Sequence, residues 1–155
     1  VGRTFIEPSQ TIRQFGVKLK HSVNRSCIED KRVILIDDSI VRGTTASKIV
    51  KMVYEAGAKE VHLGISCPPI KHPDFYGIDT PNYNELIASK SNIEEMTELV
   101  GAKSLFFLSL DGTYKAMGYN ERNKELPQFT DHCFTGEYPI DISEILKINS
   151  YDASR

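Results

Sequence analysis

Apolar and polar residues alternate along this chain in two rhythms, one of strands and one of helices. Val33-Ile34-Leu35-Ile36 is apolar throughout and three-quarters β-branched, so it reads as a fully buried central strand. From Thr44 the pattern turns helical, with Ala46, Ile49, Val50 and Val53 at i, i+3, i+4 and i+7. Ala56-Gly57 ends that helix, Gly57 standing where a left-handed cap belongs. Val61 to Ser66 is a second strand, stopped by Pro68-Pro69. Strand, helix and strand make a βαβ unit, whose crossover is expected to be right-handed and its strands parallel. Glu85 to Ala88 is one helical turn. Asn92 is placed to cap a helix with the face Ile93, Met96, Leu99 and Val100, closing near Gly101. Leu105 to Leu108 reads as a third buried strand, and Leu110 to Met117 as a short helix. The ends are weaker. Residues 1–8 look extended, Ser9 opens a short helix through Thr11, Ile12, Phe15 and Val17, and Lys18 to Arg25 is a basic, mobile stretch. Beyond Gly118 lie charges at 121–125, a loop to Phe134 and a weak helix around Ile142, Ile145 and Leu146. The fold class is α/β, an open parallel sheet with flanking helices.

Composition narrows the picture only a little. The chain has 155 residues, 40% hydrophobic and 26% charged, ordinary values for one soluble globular domain. A net charge of −2 gives no reason to invoke nucleic acid or a membrane. Residues 1–25 nevertheless carry +4 (Arg3, Arg13, Lys18, Lys20 and Arg25 against Glu7). Such a segment is more often a solvated face, and otherwise a surface for an anionic substrate. Cys27, Cys67 and Cys133 are an odd count without paired spacing, which points to a reducing, cytoplasmic setting. No apolar run approaches the ~20 residues of a membrane span, and no signal-peptide pattern opens the sequence.

The candidate chemistry sits where the first strand ends. Asp37 and Asp38 follow the apolar run, then Ser39 to Thr45 lead into the helix. Ligands of open α/β sheets bind at the carboxyl ends of strands. A helix start with free N–H groups, a glycine and hydroxyls is a phosphate cradle. Gly43 lets the backbone approach an anion, Thr44 and Thr45 add hydroxyl donors, and Arg42 faces either the phosphate or solvent. Adjacent carboxylates repel unless compensated, and suit Mg²⁺ or sugar hydroxyls. Sugar, phosphate and metal together describe a phosphorylated ribose. Acidic pairs also end strands in receiver domains and haloacid dehalogenase-like phosphatases, but there no R-G-T-T helix start follows.

The stretch D-D-S-I-V-R-G-T-T resembles the phosphoribosyl-pyrophosphate (PRPP) motif of type I phosphoribosyltransferases, in the wording of the glutamine-dependent amidophosphoribosyltransferases. V-G-R-T-F-I at the start, P-P-I at 68–70, F-Y-G-I-D-T at 75–80, E-L-I-A at 85–88 and F-T-G-E-Y-P at 134–139 carry the resemblance along nearly the whole chain. It implies a type I phosphoribosyltransferase fold, here N-terminally truncated, with a flexible-loop region (1–30), an α/β core (31–118) and a C-terminal extension (119–155). By resemblance, Asp37 and Asp38 bind the ribose hydroxyls directly or through Mg²⁺, and Ser39, Val41, Arg42, Gly43, Thr44 and Thr45 belong to the 5′-phosphate loop. Lys20 stabilises the departing pyrophosphate, with Arg3 and Arg25 as weaker substrate contacts. The implied activity is a pentosyl transfer that makes 5-phosphoribosylamine in the first step of purine synthesis. Its ammonia comes from an N-terminal glutaminase domain with no counterpart in these residues, and the pyrophosphate loop would also lie upstream. Full-length members tend to be homo-oligomers. The alternatives are a PRPP-binding regulator on the same fold or an inactive fragment. One branch of the family binds a [4Fe–4S] cluster through four cysteines. Three of those positions read Asp74, Thr130 and Cys133 here, so no iron–sulfur cluster is expected. His132 and Cys133 are adjacent, but the sequence shows no second ligand pair for zinc.

Overall fold

The computed structural model describes residues 23–80 and 82–143. The expectations for residues 1–22 and the helix around Ile145 and Leu146 lie outside them. The chain enters through a short helix α1 (Arg25–Ile28), then forms β1 (Arg32–Asp37), α2 (Thr44–Glu55) and β2 (Glu60–Ile65). A long connection holds a 3₁₀ turn (Tyr83–Glu85) and α3 (Ile87–Lys90). It is followed by α4 (Ile93–Val100), β3 (Ser104–Phe107), α5 (Leu110–Ala116) and α6 (His132–Thr135). The strands form one parallel sheet in the order β1-β2-β3, with Asp37 opposite Ile65 and Ile65 opposite Phe107.

This register sorts the strand residues cleanly by face. Val33, Leu35, Val61, Leu63, Ile65, Leu105 and Phe107 share one face, and α2 and α4 pack there through Ala46, Val50, Val53, Met96 and Val100. Ile34, Ile36, Gly64 and Phe106 share the other. Ile34 is 64% exposed, Ile36 69% and Phe106 48%. The expectation of a central strand buried on both faces therefore fails for β1 within the described residues. It is an edge strand with one covered face, and β3 repeats the pattern at the opposite edge. Gly64 lies beneath side chains from both neighbours, where an added Cβ would come within 2.5 Å of the Phe106 ring.

The helices follow their capping signals. At α4, Asn92 accepts from the Glu95 N–H while the Glu95 carboxylate accepts from the Asn92 N–H, a reciprocal capping box. Gly101, left-handed, closes that helix. The face of α4 is narrower than its apolar pattern suggests. Met96 and Val100 are buried, but Ile93 and Leu99 are 49% and 60% exposed, because only one side of the helix meets α2 and β3. In α2, Ile49 is likewise only half-buried.

Candidate functional site

The site begins where β1 stops. Asp37 ends the strand and Asp38 follows, exposed; the Asp38 N–H donates to the Asp37 carboxylate (3.0 Å) and the Ser39 hydroxyl to the Asp38 carboxylate (3.0 Å). The neighbouring strand pins the turn, since the Ser66 N–H and hydroxyl both donate to the Asp37 carbonyl (2.9 and 3.1 Å). Among the described residues no basic side chain pairs with either carboxylate. Two adjacent carboxylates at one strand end offer hard oxygen donors of the kind that could hold a Mg²⁺ ion.

Ile40 plugs the loop into the core at 3% exposed, and the chain turns at Gly43 to start α2. Gly43 has φ +77°, a left-handed conformation that suits glycine, and an added Cβ would meet the Ile87 side chain at 3.0 Å. Thr44 and Thr45 are exposed on the first turn of a 12-residue helix, whose first N–H groups face the loop mouth without a side-chain cap. The site residues expected from 37 to 45 are thus brought together. Arg42 is exposed, and its Nε donates to the Glu85 carboxylate at 2.9 Å. Arg25 pairs with Glu29 on its own helical turn (3.2 Å). Lys20 and Arg3 lie outside the described residues.

Two neighbours escaped the sequence reading. Cys67 follows β2 close to the acidic pair, and burial together with the charges of Asp38 and Asp37 pushes its thiol up to about 11. Glu85 is 43 residues from its partner Arg42, and no local pattern announces such a pair. A second polar cluster joins the connection after β2 to α6. Asp74, His132 and Cys133 place ligand atoms within 4.8 Å of one another, whereas Thr130 is exposed. The Asp74 carboxylate accepts from the N–H groups of Tyr76 (2.9 Å) and Ile78 (2.7 Å) and faces His132 Nε2 at 2.6 Å. Asp74 is therefore occupied by the chain's own hydrogen bonds, and the rings of Tyr76 and Tyr138 enclose His132.

Comparison with known proteins finds relatives along most of the chain. No family model matches the chain. It is 61% identical over 140 residues to the amidophosphoribosyltransferase of Rhizobium etli, covering 90% of this chain and 28% of that protein. It is 53% identical over 142 residues to the amidophosphoribosyltransferase of Bacillus subtilis, covering 92% and 30%. This chain is homologous to part of the amidophosphoribosyltransferases. It spans between a quarter and a third of their length. The fold agrees. A solved structure of glutamine PRPP amidotransferase from B. subtilis, complexed with ADP and GMP, matches with a TM-score of 0.76 and 51% identity. That match covers 92% of this chain and 31% of the solved one. The parallel sheet with its flanking helices is accordingly a portion of an amidophosphoribosyltransferase fold. Among the described residues no helix is long and apolar enough to cross a membrane.

Proposed function

We propose that this chain forms the ribose-phosphate half of the PRPP site of an amidophosphoribosyltransferase acting in purine synthesis. The observation that carries the reading is the acidic pair at the end of β1, running through a loop pinned by Ile40 into the uncapped start of α2. In the reaction, ammonia attacks the anomeric carbon of PRPP as the bond to pyrophosphate breaks, with inversion. Asp37 and Asp38 are placed to bind the ribose hydroxyls and would hold a Mg²⁺ ion, which when bound would supply positive charge for the leaving oxygens. The N–H groups of the Ser39–Thr45 loop and the Thr44 and Thr45 hydroxyls hold the 5′-phosphate, and the helix field adds roughly 0.3–1 kcal/mol per charge. These contacts fix the anomeric carbon relative to the nucleophile, positioning that lowers a displacement barrier. Lys20, by resemblance, meets the charge developing on pyrophosphate. Glutamine hydrolysis and ammonia supply fall to the parts of the relatives that this chain does not match.

Calorimetric titration of PRPP with Mg²⁺ tests the assignment. Asp37→Asn with Asp38→Asn is expected to abolish binding while leaving the circular dichroism spectrum unchanged. Wild-type affinity in that double variant would remove both the ribose and the metal roles.

A further inference from the structure

The phosphate loop does not stand alone: a second segment, remote in sequence, is built against it. The Ile87 N–H donates to the Val41 carbonyl (3.0 Å), the Arg42 guanidinium donates to Glu85 (2.9 Å), and the Ile87 side chain fills the space beside Gly43. That segment is itself rooted. Leu86 is fully buried and Ala88 is 7% exposed, and the Ser89 hydroxyl donates to the carbonyls of Tyr83 and Leu86 (2.6 and 2.8 Å). Three contacts of different kinds thus fall on three consecutive residues of the loop, Val41, Arg42 and Gly43. A loop that binds an anion through backbone N–H groups depends on those groups pointing inward before the anion arrives.

We propose that Tyr83–Ile87 is a brace for the phosphate loop and that Glu85 is a positioning residue acting through Arg42. The inference rests on the ribose-phosphate reading above and adds to it the device that holds the loop in its binding shape. Arg42 is then a structural strut whose charge is engaged by Glu85, and the loop's grip on phosphate comes from its backbone.

The test uses the purified chain, with ribose 5-phosphate as probe, followed residue by residue in amide NMR spectra. Glu85→Ala is expected to weaken ribose 5-phosphate about three- to fivefold, the scale of one partly exposed ion pair, with Glu85→Gln losing less. In an Arg42→Ala background, Glu85→Ala is expected to add nothing, because the strut is already gone. Without any ligand, amide exchange at Gly43, Thr44 and Ile87 is expected to quicken in Glu85→Ala while that of the β2 core stays the same. Tighter binding in Glu85→Ala would overturn the proposal, since Glu85 would then merely repel the phosphate or withhold Arg42 from it. Unchanged amide exchange would overturn it as well. Should the wild-type chain not bind ribose 5-phosphate at all, the ribose-phosphate reading fails, and the exchange measurement alone decides the brace.

Discussion

At the scale of single residues, the buried charges among the described residues lie around Asp74 and Asp131 rather than at the site. Arg122 donates to the Asp131 carboxylate through Nε (2.6 Å) and Nη2 (3.1 Å) and to Glu137 (2.6 Å), and Tyr114 adds a hydroxyl donor to Asp131 (2.7 Å). Burial alone would raise the Asp131 carboxyl, but the bonds from Arg122 and Tyr114 outweigh it and hold it below the ordinary range. Asp74 is depressed in the same way, burial being overcome by the N–H groups of Ile78 and Tyr76 and by His132. A carboxyl lowered by folding contributes stability that is complete above its unfolded value, near ~3.9, and is lost as pH falls through the lower folded value. The urea midpoint is therefore expected to hold steady on acidification to about pH 5 and to drop steeply below about pH 4. Asp131→Asn is expected to cost ~3 kcal/mol at neutral pH, because Arg122 stays buried with one partner gone, and to flatten that acid drop. A variant as acid-sensitive as wild type would show that Asp131 does not carry the linkage. These pairs were illegible in the sequence for a plain reason: Asp74 and His132 are 58 positions apart, and long-range polar pairing leaves no periodic trace. The acidic pair and its glycine loop were legible because their chemistry is contiguous.

Among the elements, what could be read was local. The cap of α4 was visible as Asn92 alone; its reciprocal partner Glu95 comes from the structure, with both bonds of the box at 2.9 Å. Asn92→Ala is expected to cost about 1 kcal/mol in chemical denaturation, with little change in the denaturant slope. A loss below a few tenths would mean that packing of Met96 and Val100 alone sets this helix. The strands were placed to within a residue, but their surroundings were not. An apolar run such as Val33 to Ile36 fits a strand covered on both faces, and periodicity carries no information about which cover is present. The same limit explains Ile93 and Leu99 in α4, apolar positions of the right spacing that stay 49% and 60% exposed. The single helical turn expected over Glu85 to Ala88 is not what forms: Leu86 is extended and divides the 3₁₀ turn Tyr83–Glu85 from α3 (Ile87–Lys90), and the attachment of this segment to the phosphate loop belongs to the tertiary fold alone.

For the molecule as a whole, the uncovered face of the sheet sets the behaviour of this chain in solution. Parallel sheets are ordinarily covered on both sides, yet Ile34, Ile36 and Phe106 form a contiguous apolar strip that no other described residue covers. The chain matches less than a third of the length of its relatives, so the usual cover has ample sequence to come from in those proteins. On its own, the chain is expected to bind an apolar fluorescent dye and to self-associate as concentration rises, because exposed strips of this kind beside an open strand edge drive both. Ile34→Thr with Ile36→Thr keeps β-branched side chains suited to a strand and removes apolar surface only from the open face. The double variant is expected to reduce dye fluorescence and to shift light scattering toward the monomer, while the thermal midpoint stays within a few degrees. Gly64 cannot serve in the same test, since any side chain there would collide with Phe106 and confound exposure with strain. A wild-type chain that stays monomeric and dark at high concentration would overturn this expectation.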